Sequence, residues 1–398
     1  MTSGFRDESS LRLWMIDSVE SMRTLFIGIN GFDLAYTRVR CYNFSRLLKS
    51  CGYDTGVFTF QEEYFPGSDP DYMLNLKDPV KIKLAIKSIR KLWLERGTLL
   101  YLQKAHYHAA APYLLSRLGR NSYILDYDDW DLDRSPFFDS RLFNRIAFGG
   151  AGTAKITANL ASRAAACVVS TEPLKELMKR YNDHVYLVPT VVDTDQFKPS
   201  KKKDSKVTFV WNGMVWGKVI FDNVMFVADC FREVHDSLRS SELIIAGKGG
   251  WYGNMREEIK KRHDGLPITV REWVPPGRVP ALLSQTDVGL LPLFPDSENE
   301  QWMRCKCPTK LFEFMAMAMP TVSSDFGEAR RIIRDGENGF LASDKKDFVE
   351  KMKLLAASEE LRLRMGAKAR EEAVSYYSLH AQRDALCKVV RVALRNGK

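Results

Sequence analysis

A lysine, a carboxylate and a helix start lie close together within residues 306–341. Lys310 precedes Glu313 by three residues, so both side chains project from one side of a helix. Pro308 and Thr309 are residue types that favour a helix N-terminus, where free backbone N–H groups attract anions. A lysine at such a terminus can bind a diphosphate, and a carboxylate beside it suits the two hydroxyls of a ribose. The alternative is a surface Lys–Glu pair on a core helix.

Apolar residues at helical spacing predict the helix that carries this pair. They are Leu311, Phe312, Met315, Ala316 and Met319. Pro320 is expected to stop the helix, because proline lacks the N–H that a helix needs. Glu313 lies next to the face that this spacing buries. Its carboxylate must therefore find a partner or lose its charge.

Alternating strand and helix patterns predict an α/β fold with parallel sheets. The first half is expected to contain strands at residues 23–29, 53–60, 99–103, 122–126, 164–170 and 185–188, and helices at 39–52 and 108–118. The second half is expected to contain strands at 207–211, 241–246, 268–271, 288–292 and 321–323. A polar, basic run at 199–206 is typical of a linker. We therefore expect two Rossmann-like halves, a hinge near residue 200 and a ligand cleft between the halves.

The composition agrees with two globular domains. The chain has 398 residues, of which 45% are hydrophobic and 27% charged, and this length exceeds one ordinary core. Its 7 cysteines are scattered and odd in number, which indicates a reducing compartment and hence the cytoplasm. Cys305 and Cys307 are half of a zinc pattern, but no second pair follows at zinc spacing. The sequence predicts no metal site, membrane-spanning segment or signal peptide.

A net charge of +9 favours anionic partners such as nucleotides, lipid headgroups or nucleic acid. Basic residues cluster in residues 81–96 around an apolar stripe of Ile82, Ile86, Ile89 and Trp93. This pattern is compatible with a helix on an anionic membrane surface and with an ordinary core-facing helix that has a solvated basic face. The sequence contains no recognised nucleic-acid module, so we expect no nucleic-acid partner.

Residues 310–341 resemble the sugar-nucleotide signature of the retaining GT-B glycosyltransferases of family four (glycosyl transferases group 1). That signature has the form K-L-F-E-Y-M-A, followed by a proline, a short strand, a Gly-Glu pair and an I-x-x-G-x-N-G-x-L loop. This chain has residues 310–316, Pro320, the pair 327–328 and the loop 333–341 in that order. Many members carry a second glutamate eight residues before the first, where this chain has Cys305.

The resemblance extends over roughly residues 23–390. Segments 209–218, 243–250 and 271–293 resemble the parts of the family that contact the donor diphosphate, nucleotide and base. Segment 189–197 resembles the interdomain hinge, and segments 37–54 and 102–131 resemble the N-terminal half of some members.

The resemblance implies an α/β GT-B fold with two Rossmann-like domains facing across a cleft. The N-terminal acceptor domain would span residues 1–200, with 1–22 as an extension. The nucleotide-sugar domain would span 206–376, and a C-terminal helix at 377–398 would cross back to the first domain. The implied activity is retaining transfer of a sugar from a nucleoside-diphosphate sugar to a glycan, a lipid-linked or another hydroxyl acceptor. Neither a cofactor nor a metal is expected.

The resemblance also assigns roles to particular residues. Lys218, Lys310 and Glu313 are the expected catalytic residues. The expected donor-binding residues are Gly213, Met214, Gly247, Val274, Thr309 and Leu311. The expected acceptor-binding residues are Arg38, Arg40, Lys104, His108, Asp128 and Asp129. Arg38, Arg40 and Lys104, together with the basic helix around Lys87, favour an anionic acceptor.

Alternatives remain at this stage. His106 or His108 could serve only in packing or capping, and Asp128 and Asp129 could be turn or cap residues. Arg38 and Arg40 could simply be solvated at a helix start. Three Asp-x-Asp patterns, beginning at Asp126, Asp131 and Asp193, could instead hold a metal-bound donor. Cys305 raises the second functional hypothesis, a non-catalytic sugar-nucleotide or glycan-binding protein.

Overall fold

The computed structural model describes residues 22–132, 137–200 and 206–396. The chain divides into two compact units. The first contains Met1–Pro189 and Gln382–Lys398, and the second contains Thr190–Ala381. The extension expected before residue 22 and most of the linker expected at 199–206 lie outside the described residues.

The first unit is built on a six-stranded sheet in the order β2-β1-β3-β4-β5-β6. Every neighbouring pair is parallel. The strands are β1 Thr24–Gly28, β2 Thr55–Thr59, β3 Leu99–Gln103, β4 Tyr123–Tyr127, β5 Ala166–Val169 and β6 Val185–Leu187. Every residue of β1, β3, β4 and β5 is buried, as expected for parallel strands covered on both faces.

Helices connect these strands. The α-helices are Ala35–Thr37, Phe44–Ser50, Phe60–Tyr64, Pro70–Leu74, Asp78–Trp93, Ala110–Arg117, Arg141–Phe148, Thr153–Arg163, Glu172–Met178 and Arg383–Asn396. The helix expected at 39–52 is a π-helical turn, Arg38–Asn43, that continues into Phe44–Ser50. The helix expected at 108–118 begins with a 3₁₀ turn, Tyr107–Ala109. The departures at these two helix starts matter because each carries expected site residues.

The C-terminal helix, Arg383–Asn396, belongs to the first unit. It packs against Phe44–Ser50 and against β4 and β5. Its buried face is apolar and includes Leu386, Val389 and Val390. The last described helix of the chain thus belongs to the same core as β1, the first described strand.

The second unit has a six-stranded sheet in the order β12-β11-β10-β7-β8-β9, again with parallel neighbours. The strands are β7 Val207–Met214, β8 Ser241–Lys248, β9 Ile268–Arg271, β10 Val288–Leu291, β11 Thr321–Ser324 and β12 Phe340–Ala342. Strand β12 lies where the sequence indicated only a return loop.

Helices cover both faces of this second sheet. The α-helices are Lys218–Ser237, Tyr252–Arg262, Val279–Leu283, Glu300–Cys305, Thr309–Ala316, Ala329–Ile332, Lys345–Ala357 and Glu359–Glu372. Phe209 of β7 and Leu243 of β8 join one apolar cluster, whereas Val210 and Ile244 join another. Neighbouring residues of a strand point to opposite faces, so each face of the sheet has its own core.

The helix Thr309–Ala316, called the Lys310 helix below, ends earlier than expected. The sequence suggested that Pro320 stops it, but Met317 is already the C-cap. Ala318 has a φ of 55°, a left-handed conformation that ends helical hydrogen bonding. Among the described residues, no helix combines the length and the apolar character needed to cross a membrane.

Candidate functional site

Glycines line the carboxyl ends of the neighbouring strands β7 and β8. Gly213 pairs with Gly247 in the parallel register. A Cβ at Gly247 would lie 2.2 Å from the carbonyl oxygen of Gly213, and one at Gly249 would lie 2.6 Å from that of Val215. Gly249 also has a φ of 127°, which side-chain-bearing residues rarely adopt. This edge therefore requires glycine, and the backbone is partly exposed at Gly213 and Gly249.

Lys310 lies directly over this glycine edge. A Cβ at Gly213 would lie 2.7 Å from the Lys310 Nζ, and the same nitrogen is 4.3 Å from the ring centroid of Trp211. Within the described ranges, Lys310 makes neither a hydrogen bond nor an ion pair. Burial lowers the pKa of Lys310 to about 7, with repulsion from Lys306 adding to the effect and attraction to Glu313 opposing it. The lysine is therefore held where an incoming anion would restore its full charge.

Glu313 is buried one turn after Lys310 in the same helix. Their mutual attraction is the one electrostatic effect that raises the pKa of Lys310. Thr309 opens the helix, and Met214 ends strand β7 beside Lys248 of β8. Six of the expected site residues thus belong to the carboxyl ends of β7 and β8 or to the Lys310 helix. They are Lys310, Glu313, Thr309, Gly213, Met214 and Gly247.

Two expected donor-binding residues are placed differently. The side chain of Leu311 is fully buried in the apolar core, because its position in the helix faces the sheet. Donor binding by Leu311 would therefore involve its backbone and not its side chain. Val274 packs, partly buried, against the same apolar cluster.

Sequence reasoning overlooked two residues of β7 beside Gly213. Trp211 supplies the ring under Lys310. The side-chain oxygen of Asn212 is buried and has no hydrogen-bond partner within the described residues. A buried polar atom of this kind normally finds a partner, which a ligand could provide. Both residues lie inside the segment 209–218 that the family resemblance singled out, and this was the signal available.

Lys218 begins the helix Lys218–Ser237 that follows β7. Its side chain is largely exposed, and its Nζ lies 2.5 Å from the Asp222 carboxylate one turn later. Gly217 caps the helix, and no side chain in the described part of the protein bonds to this cap. The first N–H groups of a helix with such a cap are open to an anion.

Cys305, at the position of the glutamate common in the resembling family, is fully buried at the end of the helix Glu300–Cys305. Gln301 Nε2 lies 3.5 Å from its sulfur. A buried thiol cannot replace a carboxylate that contacts a ligand, so the position serves packing in this protein.

A second polar cluster lies in the first unit, at the carboxyl ends of β3 and β4. Lys104 directly follows β3 in a left-handed conformation, with a φ of 66°. Its Nζ is 3.9 Å from Asp128, 3.5 Å from Asp129 and 4.0 Å from Asp131. Burial alone would lower the pKa of Lys104, but these three carboxylates raise it well above its ordinary value. Lys104 is therefore protonated, and its positive charge is already balanced by these carboxylates.

Asp128 is more deeply buried than Asp129, the other expected carboxylate. Burial raises its pKa to about 6, against the attraction of Lys104. It accepts a hydrogen bond of 3.2 Å from Gln103 Nε2. A carboxylate with this pKa can exchange a proton near neutrality. A residue that served only in a turn or cap, which was the sequence-based alternative, would not need this property.

His108 is a buried packing residue, as one sequence-based alternative had it. Burial and the neighbouring His106 lower its pKa to about 3. The ring is thus neutral, and its Nε2–H donates to the Gln103 carbonyl at 2.9 Å. Its Nδ1 finds no hydrogen-bond partner in the described ranges. His106 is the member of the pair that joins the polar cluster, with Nε2 3.4 Å from Asp131.

Arg40 differs from the prediction that it contacts the acceptor. The side chain is fully buried and forms a double hydrogen bond with Asp126, each 2.8 Å long. It also donates to the Val188 carbonyl at 2.7 Å and to the Pro189 carbonyl at 3.2 Å. Tyr101 donates to the same Asp126 carboxylate at 2.6 Å. Arg40 therefore connects a helix, β4 and the segment after β6, and it does not face a ligand.

The other expected cations are also engaged. Arg38 donates weakly to the carbonyls of Phe32 and Asp33, at 3.5 and 3.3 Å.

In the helix Asp78–Trp93, the buried face holds Lys81, Leu84, Ala85, Ser88 and Leu92. Of the predicted apolar stripe, Ile86 and Trp93 are exposed, whereas Ile82 and Ile89 are half-buried. Of the two sequence-based alternatives, the structure therefore does not support a stripe that faces the core. The expectation of an anionic acceptor loses two of its cations, because Arg40 and Lys104 are both neutralised by carboxylates.

No group of three or more histidines, cysteines or carboxylates in the described ranges is arranged to hold a metal ion. In the Lys104 cluster, the carboxylates surround a lysine nitrogen instead. Asp126, at the start of one Asp-x-Asp pattern, is occupied by Arg40. Asp133, in another, lies outside the described residues.

Residues 207–358 match the family model described as glycosyl transferases group 1. The match contains β7, the glycine edge, Lys218 and the whole Lys310 helix. A curated relative, the spore coat protein SA of Bacillus subtilis, is 28% identical over 113 residues. That alignment covers 28% of this chain and 28% of the relative.

Solved structures share the fold over a larger part of the chain. HepE of Anabaena, in complex with UDP and glucose, has a TM-score of 0.67 at 12% identity, covering 93% of this chain and 99% of its own. Sucrose-phosphate synthase of Thermosynechococcus elongatus has a TM-score of 0.67 at 12% identity, covering 93% and 98%. TarM of S. aureus, solved with UDP, has a TM-score of 0.58 at 12% identity and covers 77% of this chain and 59% of its own. The protein thus has the GT-B fold of these glycosyltransferase structures, with two parallel six-stranded sheets.

Proposed function

We propose that the protein is a glycosyltransferase that moves a sugar from a nucleoside-diphosphate sugar to a hydroxyl acceptor. The observation that carries the proposal is Lys310, whose Nζ lies over Gly213 in the part of the chain that matches the group 1 model. The UDP-bound structures of the same fold make a UDP-sugar the first donor to test.

The donor site follows from this placement. Lys310 and Lys218 bind the diphosphate from the first turns of separate helices, with the glycine edge and the start of the helix Lys218–Ser237 supplying N–H groups. Glu313 binds the ribose hydroxyls. The buried oxygen of Asn212, which lacks a partner in the described structure, accepts one further hydrogen bond from the donor.

The chemistry needs stabilisation of a departing diphosphate beside an oxocarbenium-like sugar. Lys310 and Lys218 provide this charge, so the reaction proceeds without a metal or another cofactor. We assign the retaining course, in which the acceptor attacks from the face that the diphosphate leaves. The departing phosphate oxygen takes the acceptor proton, and a dedicated base is not required.

The acceptor binds at the Lys104 cluster of the first unit. Here one lysine faces Asp128, Asp129 and Asp131, a surface that suits hydroxyl donors and repels phosphate. We therefore propose a neutral hydroxyl-bearing glycan, free or lipid-linked, in place of an anionic acceptor. We further propose that the reaction takes place in the cytoplasm and involves no nucleic acid.

The test is transfer itself. The purified protein is incubated with UDP-, GDP-, ADP- and dTDP-sugars, and release of the nucleoside diphosphate is measured with and without a mixture of neutral glycans. Transfer from one donor that falls at least tenfold in Lys310→Ala supports the proposal. An anomeric assignment of the product by NMR then tests retention.

Cys305 favours a second candidate, a sugar-nucleotide-binding protein without turnover, since its buried thiol stands where relatives of the resembling family carry a glutamate. Tight binding of one nucleotide sugar with neither hydrolysis nor transfer would support this candidate. Cys305→Glu offers a further comparison, because gain of turnover in this variant alone would assign the defect to that position.

A further inference from the structure

The helix Arg141–Phe148 of the first unit, called the stripe helix below, presents apolar side chains to solvent. Leu142 and Ile146 are each 63% exposed, and Phe143 is 38% exposed. At about 100° per residue, these three lie within an arc of about 100°. Asn144 and Phe148, on the opposite side, are the buried residues of the helix. The exposed part of this helix therefore carries an apolar stripe, where a surface helix usually has polar residues.

The stripe helix is held firmly in this orientation. The Asp78 carboxylate accepts hydrogen bonds of 2.8 Å from the N–H groups of Asp139 and Ser140. Asn144 bonds to both the N–H and the carbonyl of Phe138. Gly149 ends the helix in a left-handed conformation, with a φ of 70°. The exposed apolar residues are thus presented by an anchored helix.

Positive charge lies along one side of the stripe. The stripe helix contains Arg141 and Arg145, both exposed, and no acidic residue. Through Asp78 it is joined to the start of the helix Asp78–Trp93, which exposes Lys83, Lys87 and Arg90. Asp139, just before the stripe helix, has its carboxylate 3.8 Å from Lys81. Exposed leucine, isoleucine and phenylalanine flanked by arginines are complementary to a lipid surface with anionic headgroups.

The exposed area argues against a second copy of the chain as the occupant. From the exposed fractions and side-chain areas on the order of 150–250 Å² each, the three residues present roughly 300 Å². A stable protein interface buries about 800 Å² on each partner. Insertion into a bilayer has no such threshold, since each apolar side chain contributes separately.

We propose that the stripe helix docks the first unit on an anionic membrane surface, with Leu142, Phe143 and Ile146 entering the headgroup region. This proposal does not depend on the proposed function, because docking is measured without donor or acceptor. It also assigns membrane contact to a different element from the basic segment 81–96, for which the sequence left membrane contact as one of two alternatives.

The test is co-sedimentation of the full-length protein with two kinds of vesicle. One kind is phosphatidylcholine with about one third phosphatidylglycerol, and the other is phosphatidylcholine alone. We expect binding to the first at low salt, weaker binding at high salt, and little binding to the second. Leu142→Ser with Ile146→Ser should lower the partition coefficient at least tenfold, and Arg141→Gln with Arg145→Gln should reduce the salt dependence.

The matched control is Leu363→Ser, because Leu363 is 67% exposed on a helix of the second unit. It should bind vesicles as the wild type does, and thermal unfolding should confirm that every variant folds. Wild-type binding by the Leu142/Ile146 variant, or no binding of the wild type at low salt, would overturn the proposal. So would a dimer, seen by sedimentation velocity, that the same variant abolishes.

Discussion

Removing the Lys310 ammonium should weaken donor binding by an amount that the structure allows us to state. Its Nζ makes neither a hydrogen bond nor an ion pair in the described ranges, so all of its hydrogen-bonding capacity is available to a diphosphate. A charge-assisted hydrogen bond contributes about 1.5–3 kcal/mol, which corresponds to roughly a 10- to 150-fold change in the dissociation constant. We expect a loss of this size in Lys310→Ala for the nucleoside diphosphate that binds the wild type.

The pH dependence gives a sharper test of the same residue. Burial lowers the pKa of Lys310 from its ordinary 10.5 to about 7, and only the protonated form binds the diphosphate. The protonated fraction falls from about one half at pH 7 to about one tenth at pH 8, so the dissociation constant should rise about fivefold over this step. Binding should also take up protons from the buffer, whereas Lys310→Ala should lose both effects.

The free energy of unfolding should increase as the pH rises, whereas donor binding becomes weaker. Since the folded-state pKa of Lys310 lies below its unfolded value, the fold is penalised below about pH 7 and the penalty vanishes as the pH approaches 10.5. Lys310→Met should therefore raise the free energy of unfolding at neutral pH, by up to a few kcal/mol.

Isothermal titration of UDP from pH 7 to 9, in buffers of different ionisation enthalpy, measures the binding predictions, and urea unfolding measures the stability. Lys345→Ala is the control, because Lys345 forms a surface ion pair of 2.7 Å with Glu233. A dissociation constant in the wild type that stays flat over this pH range would refute the reasoning. So would a loss of less than threefold in Lys310→Ala.

Three other changes separate structural from functional roles. Gly247→Ala places a Cβ 2.2 Å from the Gly213 carbonyl oxygen, so it should lower the Tm and the UDP affinity together. Gly250→Ala, which meets no atom within 4 Å, should do neither. Arg40→Met leaves the buried Asp126 carboxylate without its arginine and should lower the free energy of unfolding in urea by about 3–5 kcal/mol. Turnover per folded molecule should be unchanged. A selective loss of turnover would contradict the purely structural role of Arg40. Transfer should survive EDTA, and complete loss that Mn²⁺ or Mg²⁺ restores would show that a metal takes part.

The sheets could be predicted from the sequence because buried parallel strands produce continuous apolar runs between turn residues. Residues 99–103 and 288–292 were predicted as strands, and the buried strands Leu99–Gln103 and Val288–Leu291 are observed there. Strand β12 could not be found in this way, since its three residues have no period of their own and follow a glycine-rich turn. The pairing of β12 with β11 is decided by tertiary structure.

Side-chain environments were harder to predict than elements. Arg38 and Arg40 are alike in the sequence, yet only Arg40 is buried against Asp126, a residue far along the chain. The π-helical turn that carries both changes the helical period, so no periodicity analysis would separate them. The low pKa of Lys310 likewise depends on burial near Trp211, which no local pattern reveals. The residue types at the glycine edge were predictable, and their charge states were not.

The place of the helix Arg383–Asn396 has a consequence for how the protein is synthesised. This helix covers β4, β5 and the helix Phe44–Ser50, but the ribosome makes it only after the second unit. The second unit, Thr190–Ala381, is one uninterrupted stretch and can complete its core first. At about 5–20 residues per second, the surface that Leu386, Val389 and Val390 will cover stays open for at least the roughly 10–40 s needed to make those intervening residues. The first unit therefore closes after the second, and its uncovered apolar surface stays exposed for longer in the growing chain.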